Sequence, residues 1–304
     1  MTAQELDARL AWTTAQKIDH SLGVIEDYLA RTEGKAYVSF SGGKDSTVLL
    51  HLCRIIKPDI KAVFFNTGME YPDVIQFIQD TKHSGVNLDV IRPQMSASEV
   101  WQKYGFPLIS KDQAHKLYYM KNKPDSKTAQ IGWGDGKFHS VSKKWRWLVG
   151  APYSCSRKCC DVLKKDPARR YERMTGLHPI VGTCASESLL RRQQYLLRGS
   201  CNTFSNGHTL STPLAIWTDS DIWAYIKDRQ LPIANVYARG IERTGCVCCG
   251  FGAHLKDGRF DDLYKNYPQT YWRMMNYENN GIPYKIALEN VLHHVGLLLP
   301  HERE

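Results

Sequence analysis

Nine cysteines stand in this 304-residue chain, at positions 53, 155, 159, 160, 184, 201, 246, 248 and 249, and most fall into two tight groups. Cys159-Cys160 and Cys246-x-x-Cys249 offer four soft thiolates, enough for a closed four-sulfur site. Neighbouring side chains diverge, so an adjacent pair suits one tetrahedral zinc poorly. A 4Fe–4S cube gives each sulfur its own iron and tolerates the pair better. Zinc, and redox or core thiols without metal, stay open beside the iron–sulfur reading. Cys155 and Cys248 have spacings that also permit ligation; Cys53 reads as core, and Cys184 and Cys201 as structural. An odd total and close clustering argue against a disulfide framework and for a reducing compartment, so the expected location is the cytoplasm.

A second chemical signal is Ser41-Gly-Gly-Lys-Asp-Ser46, set between a β-rich run, Ala36–Phe40, and a helical stretch from Lys44 to Ile56. A strand that turns through glycines into a helix presents backbone N–H groups and the positive helix end to phosphate. Gly42 and Gly43 let the backbone approach the anion, Ser41, Ser46 and Thr47 add hydroxyls, and Lys44 adds charge. The loop is not a Walker A motif: Val38 stands where its first glycine belongs, and Asp45 where Ser or Thr would follow the lysine.

The elements that must hold these residues alternate. Strands are expected at 36–40, 60–65, 88–91 and 179–182, with helices at 44–56, 72–83, 159–174, 186–198 and 217–228. That rhythm implies parallel βαβ units, hence an α/β sheet with helices on both faces. Apolar spacing over Ala3–Arg31 predicts a helical leader, and 260–277 and 284–295 read as helical and aromatic. Residues 105–152 break the rhythm and read as an insertion of loops and short pieces. The resulting division is a leader at 1–33, a nucleotide-binding domain at 34–250 carrying the insertion, and a helical extension at 251–304.

Composition fits this picture. With 42% hydrophobic and 23% charged residues the chain is neither disordered nor fibrous. No apolar run reaches membrane-spanning length, and Met1–Ala11 lacks the order of a signal peptide, so neither a membrane nor export is expected. A net charge of +9 favours a polyanionic partner. Lys111, His115, Lys116, Lys121, Lys123, Lys137, Lys143, Lys144, Trp145, Arg146 and Trp147 mix cations with aromatics in the insertion, a pattern that suits phosphates and unpaired bases. A plain solvated loop anchored by its tryptophans is the competing reading.

Ser41–Ser46 resembles the S-G-G-x-D-S pyrophosphate loop of the adenine nucleotide alpha hydrolase-like (PP-loop) superfamily, whose members include ATP pyrophosphatases, tRNA thiolation enzymes and phosphoadenylyl sulfate (PAPS) reductases. Asn66-Thr67-Gly68 with Tyr71-Pro72-Asp73 is similar to the reductases' D-T-G…F-P-E-T segment, with Asn for Asp and Asp for Glu. Gly182…Glu187-Ser188…Arg191 resembles their substrate-binding strand and helix, and Pro213-Leu214…Trp217…Asp221-Ile222-Trp223…Leu231-Pro232 their closing segment. Cys160, Lys164 and Pro167 are similar to the C-C-x-x-R-K-V-x-P element of cluster-bearing members, with Leu163 in place of Arg, and Arg243–Gly250 resembles their second ligand pair.

The resemblance implies a Rossmann-like PP-loop fold, a 4Fe–4S cluster on Cys159, Cys160, Cys246 and Cys249, and an ATP site with Mg²⁺. Ser41–Thr47 would hold the departing pyrophosphate, Phe65, Asn66, Thr67 and Gly68 would meet the adenine, and Gly182, Glu187, Ser188 and Arg191 would complete the nucleotide site. Lys44, Asp45 and Arg191 are the expected catalytic residues, Asp45 as a helper to Mg²⁺. Lys164 would place a cation near the cluster. The reductases' C-terminal E-C-G-x-H cysteine has no counterpart here: the sequence runs out at Leu299-Pro-His-Glu-Arg-Glu304. ATP-dependent sulfur transfer to a nucleotide or a nucleic acid (DNA or tRNA), with a sulfur-donor protein as partner, is therefore expected first. A divergent sulfonucleotide reductase using another thiol, such as Cys184, is the alternative, and a non-catalytic nucleotide or redox sensor the third reading.

Overall fold

The computed structural model describes residues 2–134, 139–205, 208–255 and 258–303. Its contacts divide the chain into two compact units: 1–65, 72–91 and 168–237 in the first, and 66–71, 92–167 and 238–304 in the second. The segments expected as leader, insertion and extension are distributed over these two units.

In the first unit, helices α1 (Ala3–Leu10) and α2 (Thr14–Arg31) precede strand β1 (Ala36–Ser39). The helical leader expected over Ala3–Arg31 is divided into these two helices. Thr13 takes an extended conformation and forms a capping box with Gln16, which restarts the helix just as Thr2 and Glu5 start α1. After β1 come α3 (Lys44–Ile56), β2 (Lys61–Phe65), α4 (Pro72–His83) and β3 (Leu88–Ile91). The sheet has six strands in the order β3, β2, β1, His178–Val181, His208–Ser211, Asn202–Ser205. All pairings are parallel except the last, an antiparallel hairpin at the edge. This is the mixed α/β class with a mostly parallel central sheet.

β1 and the turn after it owe their position to burial. Val38 and Phe40 are fully buried, the Phe40 amide donates to the Val63 carbonyl (2.9 Å), and Val48, Leu49 and Leu52 give α3 its apolar face. Lys17 on α2 forms a 2.6 Å ion pair with Asp221, which also caps the helix Asp219–Asp228 through Thr218.

In the second unit, residues 105–152, expected as loops and short pieces, are more helical than that. They form helices Lys111–Asn122 and Lys127–Trp133 and a 3-10 turn Lys143–Val149. Ser110 and Ser126 cap the two helices, so the helix signals are local. With the helices Arg259–Asn266, Pro268–Met275 and Tyr284–His293 they enclose a core in which Trp101, Phe106, Tyr153 and Tyr284 pack ring against ring at 4.6–6.2 Å. The helix expected at 159–174 is present as one continuous helical run with a π turn inside it: Lys158–Cys160 is α-helical, Asp161–Lys165 a π turn, and Asp166–Thr175 α-helical again. Pro167 lacks the amide hydrogen that an α-helix would direct at Leu163, and the widened turn accommodates it.

Candidate functional site: a phosphate loop and a four-cysteine pocket

The phosphate loop lies wholly in the first unit. Gly42 sits at φ +73°, and a Cβ there would stand 2.9 Å from Val74 Cγ1, so the turn demands glycine twice over. Gly43 is the N-cap of α3 and has no side chain to cap it. Ser46 Oγ donates to the Gly43 carbonyl (2.9 Å), the Ser41 amide donates to Ser46 Oγ (3.2 Å), and Thr47 Oγ1 also donates to Gly43 O (3.1 Å). The hydroxyls thus brace the loop from within. At the helix start the Lys44 amide donates to the hydroxyl of Tyr237, 2.7 Å away.

Lys44 is buried, and its ammonium pairs with Asp219 (2.7 Å) and Asp45 (3.3 Å). Burial alone would lower its pKa, but the hydrogen bond to Asp219 and the charges of Asp45 and Asp219 outweigh it and hold the pKa above the ordinary value. Lys44 is therefore a committed cation at neutral pH. Asp219 and Tyr237 escape the sequence reading because they act from far along the chain, where nothing in their own neighbourhood marks them.

Gly182 ends the neighbouring strand against the loop: a Cβ there would meet the Asp45 carbonyl oxygen at 3.1 Å. The Cys184 amide donates to Glu187 Oε1 (2.9 Å), Glu187 Oε2 pairs with Arg191 Nε (3.1 Å), and Ser188 caps the helix Leu189–Arg198. The Cys184 thiol is buried and pushed well up in pKa, first by desolvation and then by the charges of Asp45 and Glu187, with Lys44 and Arg191 opposing. The charges of Lys44, Asp45, Glu187 and Arg191 therefore all act on one thiol.

Phe65 ends β2, and its ring packs edge-on against Tyr37 and Tyr171, both at 6.2 Å for Phe65. Its side chain serves the core on that side of the sheet. Asn66, Thr67 and Gly68 belong to the second unit. There Asn66 Oδ1 accepts from the Gly68 amide (2.9 Å), and Thr67 Oγ1 donates to Glu70 (2.6 Å).

The cysteines separate cleanly by exposure. Cys159, Cys160, Cys246 and Cys249 are half-buried, while Cys53, Cys155, Cys184, Cys201 and Cys248 are buried. The four half-buried thiols line one small cavity in the second unit with Met69, Pro107, Leu163 and Lys164. Two devices bring them there. The Val247 amide donates to Met69 O (2.9 Å), and Gly250–Phe251 pairs in parallel with Leu108–Ile109, which sets the Cys246–Cys249 loop. Gly250 is required at that pairing, since a Cβ would lie 2.6 Å from the Pro107 carbonyl oxygen. The π turn begins directly after Cys160.

Charge follows the same arrangement. The Cys160 thiol is lowered in pKa, first by the hydrogen bond with Cys159 and further by Lys111 and Lys164, against the cost of burial. Cys159 is correspondingly pushed up, mainly by that hydrogen bond. Lys164 lies beside Cys246, which raises the lysine's pKa most, with Glu70 adding to it. Arg157, one turn before the π segment, carries a buried Nε with no partner among the described residues. Among the described residues no three His, Cys, Asp or Glu side chains converge tightly enough to hold one metal ion. A soft, all-thiolate donor set spread around an apolar cavity, with cations beside it, fits an anionic iron–sulfur cluster better than a single ion. Cys155 and Cys248 are sealed in the core, where burial raises Cys155 to about 12 and Cys248 also upward.

In the basic segment, Lys121 is tied to the Ala151 and Tyr153 carbonyls and Lys116 to Asp112. Trp145 is buried between His254 and His294, so it anchors rather than stacks on a ligand. Lys143, Lys144 and Trp147 are exposed. Lys137 lies outside the described residues. Among the described residues no helix is long and apolar enough to cross a membrane.

A mostly parallel α/β sheet with a glycine loop feeding a helix is the general frame of phosphate-binding α/β proteins. The phosphoadenosine phosphosulfate reductase domain matches residues 35–124 and 110–250, and the chain belongs to that family. An uncharacterized protein of Methanocaldococcus jannaschii is 25% identical over 249 residues, covering 80% of this chain and 49% of its own length. The chain spans about half the length of such archaeal relatives. An adenosine 5'-phosphosulfate reductase of Staphylococcus epidermidis is 24% identical over 224 residues, 71% of each chain. Among solved structures, a phosphoadenylyl-sulfate (PAPS) reductase from Candida auris is similar at a TM-score of 0.46 and 12% identity, covering 81% of this chain and 96% of that one. The U34-tRNA thiolase NcsA from Methanococcus maripaludis with its [4Fe-4S] cluster is similar at a TM-score of 0.42 and 13% identity, covering 93% of this chain and 81% of that one.

Proposed function

We propose that this protein binds ATP at Ser41–Ser46, activates an oxygen of a nucleotide or nucleic-acid acceptor by adenylation, and replaces that oxygen with sulfur, carrying a 4Fe–4S cluster on Cys159, Cys160, Cys246 and Cys249. The observation that carries the reading is the convergence of four half-exposed thiols on one cavity in a chain that also bears a PP-loop. The cluster, when bound, supplies a place to hold sulfur before transfer.

The chain's own residues suit the activation step. The acceptor oxygen attacks the α-phosphorus, the bond to the β-phosphate oxygen breaks, and pyrophosphate leaves with the electron pair. Negative charge grows on the leaving group, and the Lys44 ammonium and the positive end of α3 are fixed positive groups for it. Asp45, in the first turn of α3, is the carboxylate available to Mg²⁺. Arg191, held by Glu187, is oriented for a phosphate oxygen. A sulfur nucleophile from a donor then displaces AMP from the activated acceptor.

The reductase alternative rests on relatives named for that activity. It requires a thiolate nucleophile, and Cys184, the thiol that feels the charges of Lys44 and Asp45, is buried and held protonated. The deciding experiment gives cluster-loaded protein ATP, sulfide and either total tRNA or single-stranded DNA, and in parallel adenylyl sulfate or its 3'-phosphorylated form with thioredoxin. The proposal expects AMP, pyrophosphate and sulfur in the polymer, with no sulfite. Steady sulfite release abolished by Cys184→Ser overturns it.

A further inference from the structure

The second unit carries a surface that neither the phosphate loop nor the cysteine cavity uses. Residues 110–150 hold nine Lys and Arg against three acids, which accounts for six of the chain's nine net positive charges. Two tryptophans lie open on this surface. Trp133, at the end of the helix Lys127–Trp133, is 44% exposed, and Trp147, in the 3-10 turn, is 36% exposed. An indole is the costliest side chain to leave in water, and the neighbouring Trp145 is buried at 5%.

The exposed rings are held rather than loose. Arg146 places its guanidinium 5.7 Å from the Trp133 ring centroid. It is fixed there by donating from Nη2 to the carbonyls of Trp133 (3.1 Å) and Gly134 (3.0 Å) and from Nε to Val141 (3.2 Å). Trp147 packs against His294 at 5.5 Å. Lys143 and Lys144 stand exposed beside Trp147 in the same turn, Lys127 is exposed at the start of the helix that ends in Trp133, and Lys123 at the end of the helix before it.

We infer that Trp133 and Trp147, with Lys143 and Lys144, form a platform for a single-stranded nucleic acid, the rings stacking on unpaired bases and the lysines meeting phosphates. Flat rings pinned in place lose little entropy on stacking, and every base offers a face to them, so recognition is of strandedness rather than sequence. A duplex hides its base faces, and an acidic protein has no need of two presented indoles. This inference deepens the proposed function by naming the acceptor class, and it rests on that reading only for the meaning of binding, not for binding itself.

The test is equilibrium binding of the full-length protein, without ATP, to fluorescent twenty-nucleotide single-stranded RNA and DNA, to the matching duplexes, and to polyglutamate. The single strands should bind more tightly than the duplexes or polyglutamate. Trp133→Ala and Trp147→Ala should each weaken binding by about fivefold or more, while Trp133→Phe, which keeps a stacking face, should restore most of it. Lys143→Ala with Lys144→Ala should flatten the slope of log affinity against log salt by about 0.7 per lost phosphate contact. Circular dichroism and thermal unfolding confirm that the variants are folded. Affinity unchanged by both tryptophan substitutions, or polyglutamate or duplex bound as tightly as single strands, overturns the proposal. Failure here is distinguishable from failure of the functional reading: binding without pyrophosphate release removes the activity alone, and pyrophosphate release without strand binding removes the platform alone.

Discussion

The hydroxyl of Tyr237 accepts a hydrogen bond from the backbone amide of Lys44 at 2.7 Å, across 193 residues of sequence. A group that a phosphate would claim at the start of α3 is already satisfied by a side chain. The same helix start has no side-chain cap of its own, because the N-cap is Gly43. Tyr237 therefore gives that amide part of what an anion would give it.

Tyr237→Phe removes that acceptor and frees the amide. The ligand-free protein should lose about 0.5–1.5 kcal/mol, the usual worth of one such bond. ATP affinity should hold or tighten, since the nucleotide no longer competes with the hydroxyl. Chemical denaturation with and without ATP measures both.

Gly42→Ala forces a side chain into a left-handed conformation at φ +73° and onto Val74. About 1–3 kcal/mol of stability should go. Gly43→Asp sets a carboxylate where phosphate would lie, and ATP binding followed by calorimetry should fall below detection while the fold persists. Equal ATP affinity for Gly43→Asp and wild type would remove the nucleotide site.

Stability should fall as pH drops below about 6.5. His20 is held below its ordinary pKa by burial and then by Arg9, and His51 by burial and then by Arg229 and Arg54. A lowered imidazole pKa means that the unfolded chain takes up protons before the folded one, so stability is full above the unfolded pKa and is lost as pH falls through it. Urea midpoints at pH 7.5 and 5.5 test this, and His51→Gln should reduce the difference between them.

Lys164→Met removes a cation that contacts Cys246 while leaving all four proposed ligands in the chain. Adding an electron to the cluster should then be harder, and its midpoint potential should move negative, as read by redox titration under anaerobic conditions.

Much of the phosphate loop was legible from Ser41–Ser46 because its chemistry is local: a strand, two glycines and a helix start lie within a dozen residues. The parallel strands at 36–39, 61–65, 88–91 and 178–181 were legible for the same reason. The edge hairpin Asn202–Ser205 with His208–Ser211 was not, since its strands are short and polar, although the Asn206-Gly207 pair between them is a hairpin signal. Residues 105–152 hid their helices behind scattered Gly, Lys and Trp, while the serine caps at 110 and 126 marked two of the starts. The gathering of the four cysteines depends on Val247 meeting Met69 and on Gly250 pairing beside Leu108, which are contacts between distant segments. Tyr237, Asp219 and the Trp133–Arg146 pair likewise arise only from tertiary packing.

Metal and sulfide analysis of anaerobically purified protein tests the central claim most directly. Wild type should be brown, with about four irons and matching acid-labile sulfide per chain. Cys160→Ser and Cys246→Ser should each lose most of the iron, while Cys155→Ser, at a buried thiol away from the cavity, should keep it. One zinc per chain and no iron, or iron unaffected by Cys160→Ser and Cys246→Ser, would contradict the account.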